Sequence, residues 1–306
     1  MITDGNHTKN TAAVIIKEKG MVITITKESI RNLPAAAKSV KTLMRWLFDR
    51  PLKKGTVLEG RYRINRVLGM GSYGITYLAE ELGRAGFRVI KQQRKTKAWT
   101  SAGRRSFERE AEILRELDLP AAPRIYEVLQ TDGERFIVME YIEGKTFEDL
   151  LFYDGHVFDE QQTISILKEV LHSVSLLHRR GIIHRDLRIP NLIVSEGTIR
   201  IIDFGLACHL TERERVDDRH PEKRLMRAVS VKSDFYALGH FALFLLYSGF
   251  TPSGQEEKCW EEELSLSPWL KSVLRKMLQI DLPYERAEEI IGDLTSCTTE
   301  KKKLPF

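Results

Sequence analysis

The chain has 306 residues, 42% of them hydrophobic and 30% charged, with a formal net charge of +5. That composition excludes collagenous, low-complexity and wholly disordered chains, and the length allows one large domain or two of about 150 residues each. Its three cysteines, Cys208, Cys259 and Cys297, lie far apart and form no Cys-x-x-Cys pair, which argues against a disulfide scaffold or a structural zinc site and fits reduced thiols in the cytoplasm.

The positive charge is concentrated at the start. Residues 1–54 hold eight Lys and three Arg against two Asp and two Glu, a net of +7 that leaves −2 for the rest. A basic extension on a near-neutral body argues against a specific nucleic-acid binder. Within it, residues 13–16 and 21–26 flank Glu18-Lys19-Gly20 and predict a small hairpin. Pro34 then opens a predicted helix over 35–48, with Val40, Leu43, Met44 and Leu47 at helical spacing and Lys38, Lys41 and Arg45 between them. Such a helix packs on its own domain or lies on an anionic membrane, giving residues 35–54 a peripheral membrane contact. The first ten residues are polar, with no apolar stretch after them, so no secretory signal is expected.

Short alternating or apolar runs at 62–68, 75–80, 88–92, 125–129 and 136–139 predict strands, separated by breakers such as Gly83, Gly86, Pro123 and Asp132-Gly133. One helix, over 105–117, interrupts them. From residue 142 onward helices dominate: 159–179, 233–247, 268–278 and 286–297. The apolar run at 236–250 is shorter than the roughly 20 residues that span a bilayer and reads as a buried core helix. Strands followed by helices imply an α+β fold in two lobes. The organisation is a basic extension 1–54, a small lobe 55–141, a helical lobe 142–298 and a polar tail 299–306.

Several residues carry chemistry. Gly69-Met70-Gly71-Ser72-Tyr73-Gly74 sits between two predicted strands; its glycines suit either a plain hairpin turn or close approach of backbone amides to phosphates. A dinucleotide-binding turn needs a helix after the last glycine, and Ile75-Thr76-Tyr77-Leu78-Ala79 alternates like a strand. Lys91 ends an apolar strand. Glu110 shares a helix face with Phe107, Ile113, Leu114 and Leu117, where a carboxylate needs a partner; Lys91 is the candidate. Glu108 and Glu112 lie further round and are expected in solvent. His184-Arg185-Asp186-Leu187-Arg188-Ile189-Pro190-Asn191 precedes Asp203-Phe204-Gly205. Four residues fixed as in His-Arg-Asp…Asn arise by chance at on the order of one start position in 10⁵, and Asp-Phe-Gly twelve residues beyond Asn191 removes coincidence.

These motifs resemble the eukaryotic-like protein kinase superfamily, in the style of bacterial serine/threonine kinases, over roughly residues 55–298. The resemblance implies a bilobal protein-kinase-like fold, ATP and Mg²⁺ (with Mn²⁺ as a substitute), and a protein substrate that includes the chain itself. It implies that Gly69, Gly71 and Gly74 cover the ATP phosphates, that Lys91 holds the α- and β-phosphates, and that Glu110 positions Lys91. Asp186 would receive the proton of the acceptor hydroxyl, Asn191 and Asp203 would bind the metal, and Arg188 would contact the γ-phosphate. Arg188 stands where serine/threonine kinases usually carry Lys, as in some tyrosine kinases. Residues 136–142 resemble the segment joining the lobes, with Met139 as gatekeeper, backbone groups of Glu140 and Ile142 meeting adenine, and Leu68, Val89 and Ile193 on its faces.

The pattern departs in the activation segment. The usual Ala-Pro-Glu appears as His220-Pro221-Glu222, and the Gly-Thr and Tyr elements before it are missing. The resemblance pairs Glu222 with Arg286 and makes Asp234 part of a buried helix start; a simple helix cap is the alternative for Asp234. Arg185 before the catalytic Asp implies a phosphoswitch with Thr211 as its site, unless Glu212, Glu214, Asp217 or Asp218 pairs with Arg185 directly. An active serine/threonine kinase is the leading expectation. A small-molecule kinase on the same fold and a nucleotide-binding scaffold are the alternatives.

Overall fold

The computed structural model describes residues 48–212, 221–251 and 258–296, together with the backbone of Val14–Glu18 and Met21–Ile25. The helix expected over 35–48 (Phe48 apart), residues Glu214, Asp217, Asp218, His220 and Cys297, and the tail 299–306 lie outside the described residues. The chain divides into two units, Met1–Pro51 and Leu52–Phe306. In the first, β1 (Val14–Glu18) and β2 (Met21–Ile25) pair antiparallel, as the hairpin reading expects.

In the second unit a six-stranded antiparallel sheet comes first. Its strands are β3 (Val57–Leu58), β4 (Tyr62–Met70), β5 (Gly74–Glu81), β6 (Phe87–Gln93), β7 (Ile125–Thr131) and β8 (Glu134–Glu140), in the order β3-β4-β5-β6-β8-β7. Side chains alternate across a strand, and β8 shows the consequence. Phe136 and Val138 join Tyr62, Ile64, Tyr77 and Ile90 in one apolar cluster, whereas Ile137 and Met139 point into the main core of the unit. Between β6 and β7 come α1 (Lys95–Ala98) and α2 (Ser101–Glu116). Thr100 caps α2 by accepting from the Gly103 amide at 3.0 Å, so the helix starts four residues before the expected 105. Its buried face carries Phe107, Glu110, Ile113 and Leu114.

The rest is helical. β9 (Lys145–Thr146) leads into α3 (Phe147–Phe152), which the sequence reading omits; a capping box between Thr146 and Asp149 starts it. Next is α4 (Glu160–Arg179), capped by Asp159, and α6 (Val231–Tyr247) is buried over most of its length. α5 (Pro221–Arg227) precedes α6 directly. After α6 come α7 (Trp260–Glu263), α8 (Pro268–Met277) and α9 (Ala287–Ser296). Between α4 and α5 run the short strands β10 (Ile182–Ile183), β11 (Leu192–Ser195), β12 (Thr198–Ile201) and β13 (Cys208–His209). β10 pairs with β13, and β11 lies between β12 and β9. Among the described residues no single helix is long and apolar enough to cross a membrane.

Candidate active site

Two short strand pairs place the chemistry. β10 ends at Ile183, so His184 to Asn191 forms the loop that joins it to β11; β12 ends at Ile201, so Asp203-Phe204-Gly205 follows at the neighbouring strand end. The Ile202 amide donates to the Asn191 carbonyl at 2.8 Å and ties the two loops together. Phe204 is 1% exposed and its ring meets His184 edge-on, with centroids 4.8 Å apart. Burial pushes the His184 imidazole below its ordinary pKa, favouring the neutral ring.

One buried carboxylate holds this loop. Asp234, fully buried in the first turn of α6, accepts from the His184 amide at 2.9 Å, from the Arg185 amide at 2.7 Å and sits 2.9 Å from His178 Nε2. Burial works against its charge, but the hydrogen bonds and charge of His178, with His184, lower its pKa below the ordinary Asp value. The cap of α6 is Ser230, which accepts from the Lys232 amide. Asp234 is therefore not the helix cap that the alternative allowed.

A second group of charges bridges sheet, helix and loop. Lys91 Nζ lies 2.5 Å from Glu110 Oε1 and 2.7 Å from Asp203 Oδ1. Lys91 and Glu110 are almost wholly buried, so each needs the other. Burial disfavours the Lys91 ammonium, yet Asp203 and Glu110 outweigh it and hold its pKa above the ordinary lysine value. The Lys91 charge pulls the Asp203 carboxyl down to about 2. Asp203 adopts φ +63°, and the Gly205 amide donates to its Oδ1 at 3.2 Å. A Cβ on Gly205 would lie 2.9 Å from Lys91 Nζ and 3.1 Å from Asp203 Oδ1, so only glycine leaves room for this triad. As expected for helix positions further round, Glu108 and Glu112 are exposed.

Asp186 faces a third set of donors. Its Oδ2 accepts from Asn191 Nδ2 at 2.9 Å, and its Oδ1 lies 3.1 Å from Arg188 Nε and 3.2 Å from Arg227 Nη2. Asn191 Nδ2 also donates to the Asp186 carbonyl. With its amide nitrogen committed twice, Asn191 has its hard carbonyl oxygen to offer a ligand, and Asp203 offers a carboxylate held ionised by Lys91. Two such oxygens fit Mg²⁺, which takes one or two side-chain oxygens and fills its octahedron with phosphate oxygens and water.

Gly69, Gly71 and Gly74 form the tip of the β4–β5 hairpin. A Cβ at Gly74 would come within 2.9 Å of the Gln92 carbonyl and 3.2 Å of the Lys91 stem, and the Gly71 carbonyl accepts from Arg94 Nε at 2.7 Å. Val89 is the cross-strand neighbour of Met139. Met139, Ile142 and Ile193 are buried, Val89 is half-buried and Leu68 is exposed. Glu140 bonds Arg200 through both carboxylate oxygens at 2.8 and 2.9 Å, and its amide donates to the Arg124 carbonyl. The Arg200 link was not foreseen.

The ion pair expected between Glu222 and Arg286 is not formed. Arg286 Nε lies 3.3 Å from Glu289 on the first turn of α9, while Glu222 is exposed on α5 with its charge felt by Tyr236 and His240 of α6. Pro221-Glu222 opens α5, where Glu222 stays exposed. Thr211 is exposed. Arg185 is buried at φ +64°, with Nη1 3.3 Å from Cys208 Sγ. Glu212, one of its candidate partners, binds Arg109 of α2. Arg227 is the residue that sequence reasoning missed: no motif marks it, and only the fold brings it to Asp186.

Comparison with known proteins agrees with this geometry. The protein kinase domain model matches residues 62–290. The probable serine/threonine-protein kinase YbdM of Bacillus subtilis (strain 168) is 36% identical over 256 residues, covering 84% of this chain and 96% of that protein. Serine/threonine-protein kinase PrkC of the same organism is 30% identical over 266 residues, covering 78% of this chain but 41% of PrkC. The solved kinase domain of Mycobacterium tuberculosis PknI superposes with a TM-score of 0.61 at 23% identity, covering 80% of this chain and 99% of that one, a likeness of fold.

Proposed function

Because the chain belongs to the protein kinase domain family, we propose that it transfers the γ-phosphate of ATP to serine or threonine hydroxyls of proteins, itself included. The observation that carries the reading is the pair of linked charge clusters: Lys91 held between Glu110 and Asp203, and Asp186 held by Asn191 and Arg188. Phosphoryl transfer needs positioning and neutralisation of phosphate charge more than covalent chemistry, and this site offers both.

In the reaction the acceptor oxygen bonds to the γ-phosphorus, its O–H proton passes to Asp186, and the bond to the β-phosphate oxygen breaks to leave ADP. Lys91 binds the α- and β-phosphates, and Glu110 keeps it in place. Arg188, paired with Asp186 and 63% exposed, is placed to contact the γ-phosphate when ATP binds. Asn191 and Asp203 would hold Mg²⁺, or Mn²⁺ in its stead, which would supply neutralisation of the phosphate charge. Gly69, Gly71 and Gly74 close over the phosphates. Leu68, Val89 and Ile193 sandwich adenine beside Met139, with Ile142 and the Glu140 carbonyl at its edge, since the Glu140 amide already serves Arg124.

Two further readings stay with this proposal. Exposed Thr211 is its candidate phosphosite, checked by Thr211→Ala: retained activity removes the switch. The +7 charge of residues 1–54 supports a peripheral contact with anionic membrane through residues 35–54, and sedimentation with phosphatidylserine vesicles checks it; the widely spaced cysteines suit a cytoplasmic protein.

The test is incubation with γ-labelled ATP and Mg²⁺ beside a generic basic protein and a metabolite pool, with acceptors identified by mass. Label on serine or threonine supports the reading. Label on a metabolite alone moves the chain to the small-molecule kinases, and ATP binding without transfer makes it a scaffold.

A further inference from the structure

We propose that Arg227 selects acceptors carrying an acidic side chain beside the hydroxyl. The inference rests on the protein-kinase reading and names a substrate class for it.

Arg227 ends α5 and reaches the catalytic loop. Its guanidinium bridges two groups: Nη1 donates to the Arg185 carbonyl at 2.8 Å, and Nη2 lies 3.2 Å from Asp186 Oδ1. Arg188 Nε lies 3.1 Å from the same oxygen, and Asn191 Nδ2 occupies Oδ2. A carboxylate has about four acceptor positions; Asn191 takes one, and the two guanidinium groups crowd Oδ1 as ion pairs. The Asp186 side chain is 10% exposed. An acceptor hydroxyl must reach this carboxylate to surrender its proton, and it arrives beside these cations or in the place of one.

Arg188 is the more exposed of the two cations, 63% against 33%, but Arg227 is the one that a segment outside the loop supplies. Asn191 is buried inside the loop, and Arg188 belongs to the loop itself. Arg227 comes from a short helix with no buried residue, and its side chain is one-third exposed. A neutral acceptor takes a share of Asp186 and leaves the guanidinium short of its counter-charge. An acceptor with a carboxylate next to the hydroxyl brings a replacement, because Arg has five donors in a fork that suits carboxylates. The surroundings agree in sign: α5 also carries Lys223 and Arg224, both exposed, against Glu222 alone.

The test uses two serine peptides that differ only at the two positions on each side of the serine, glutamate in one and glutamine in the other. kcat/KM is measured for both with the full chain, with Arg227→Gln and with Arg227→Lys. The full chain should favour the acidic peptide by about tenfold, the scale of one hydrogen bond to a charged group. Arg227→Gln should bring the ratio to about one, and Arg227→Lys should keep part of it. A ratio within one enzyme cancels any loss of folded protein or of Asp186 geometry. A ratio near one in the unaltered chain, or one that Arg227→Gln leaves unchanged, overturns the proposal. Autophosphorylation and ATP hydrolysis are followed in the same samples. Transfer to the chain itself but to neither peptide overturns the selectivity and leaves the kinase reading standing, whereas no ATP turnover at all overturns both.

Discussion

The nucleotide side of the site and its acceptor side are built on different physics. Lys91 and Glu110 are buried and need one another, and Asp203, with half its side chain exposed, joins them at the edge. On the acceptor side Arg188 and Arg227 keep 63% and 33% of their side chains exposed around Asp186. A buried charge without its partner is costly, so residue type and position on the first side are narrowly dictated. Exposed charges are screened and interchangeable, so the second side is free to vary with the substrate. The first side speaks for ATP chemistry in general, and the second for what this chain acts on.

Substitutions sharpen that contrast. The largest effect is expected on rate: Asp186→Asn removes the base and should slow transfer by about 10²–10⁴, read by phosphate incorporation. Lys91→Met strips buried Glu110 of its partner and should cost up to about 3–5 kcal/mol of stability, measured by urea unfolding. Asp234→Asn keeps the shape but weakens two hydrogen bonds to the catalytic loop and one to His178 of α4, with an expected cost of about 1.5–3 kcal/mol and a parallel fall in transfer. Asp203 has its pKa lowered to about 2, so its contribution to stability is complete above the ordinary carboxyl value. That contribution should fade only as pH drops from about 4 toward 2, which acid unfolding of the chain and of Asp203→Asn would compare. Smallest of all, Glu222→Gln and Arg286→Gln should each change stability by less than about 0.5 kcal/mol, with no coupling in a double-mutant cycle. A coupling of 1 kcal/mol or more there would restore the ion pair that the geometry lacks.

Legibility in the sequence followed the same divide. Short apolar or alternating runs located the five main strands: β7 alternates, whereas β8 is buried on both faces and reads as an apolar run. Glu110 stood out because a carboxylate on the apolar stripe of α2 demands a cation. The true start of α2 was less visible: Ser101 to Arg104 shows no apolar period, and the Thr100 cap decides it. Helix α3 was missed although Thr146 and Asp149 spell its capping box. Arg227 could not be read at all. It is an exposed-helix arginine among other cations, and its role exists only because α5 ends against the loop that carries Asp186.

The most direct test measures ATP affinity and transfer rate side by side in the unaltered chain, Asp186→Asn and Lys91→Met. If the two sides are separate devices, Asp186→Asn binds ATP as before but transfers about 10²–10⁴ more slowly, while Lys91→Met loses both. Transfer at full rate in Asp186→Asn, or ATP binding unaffected by Lys91→Met, would contradict the account.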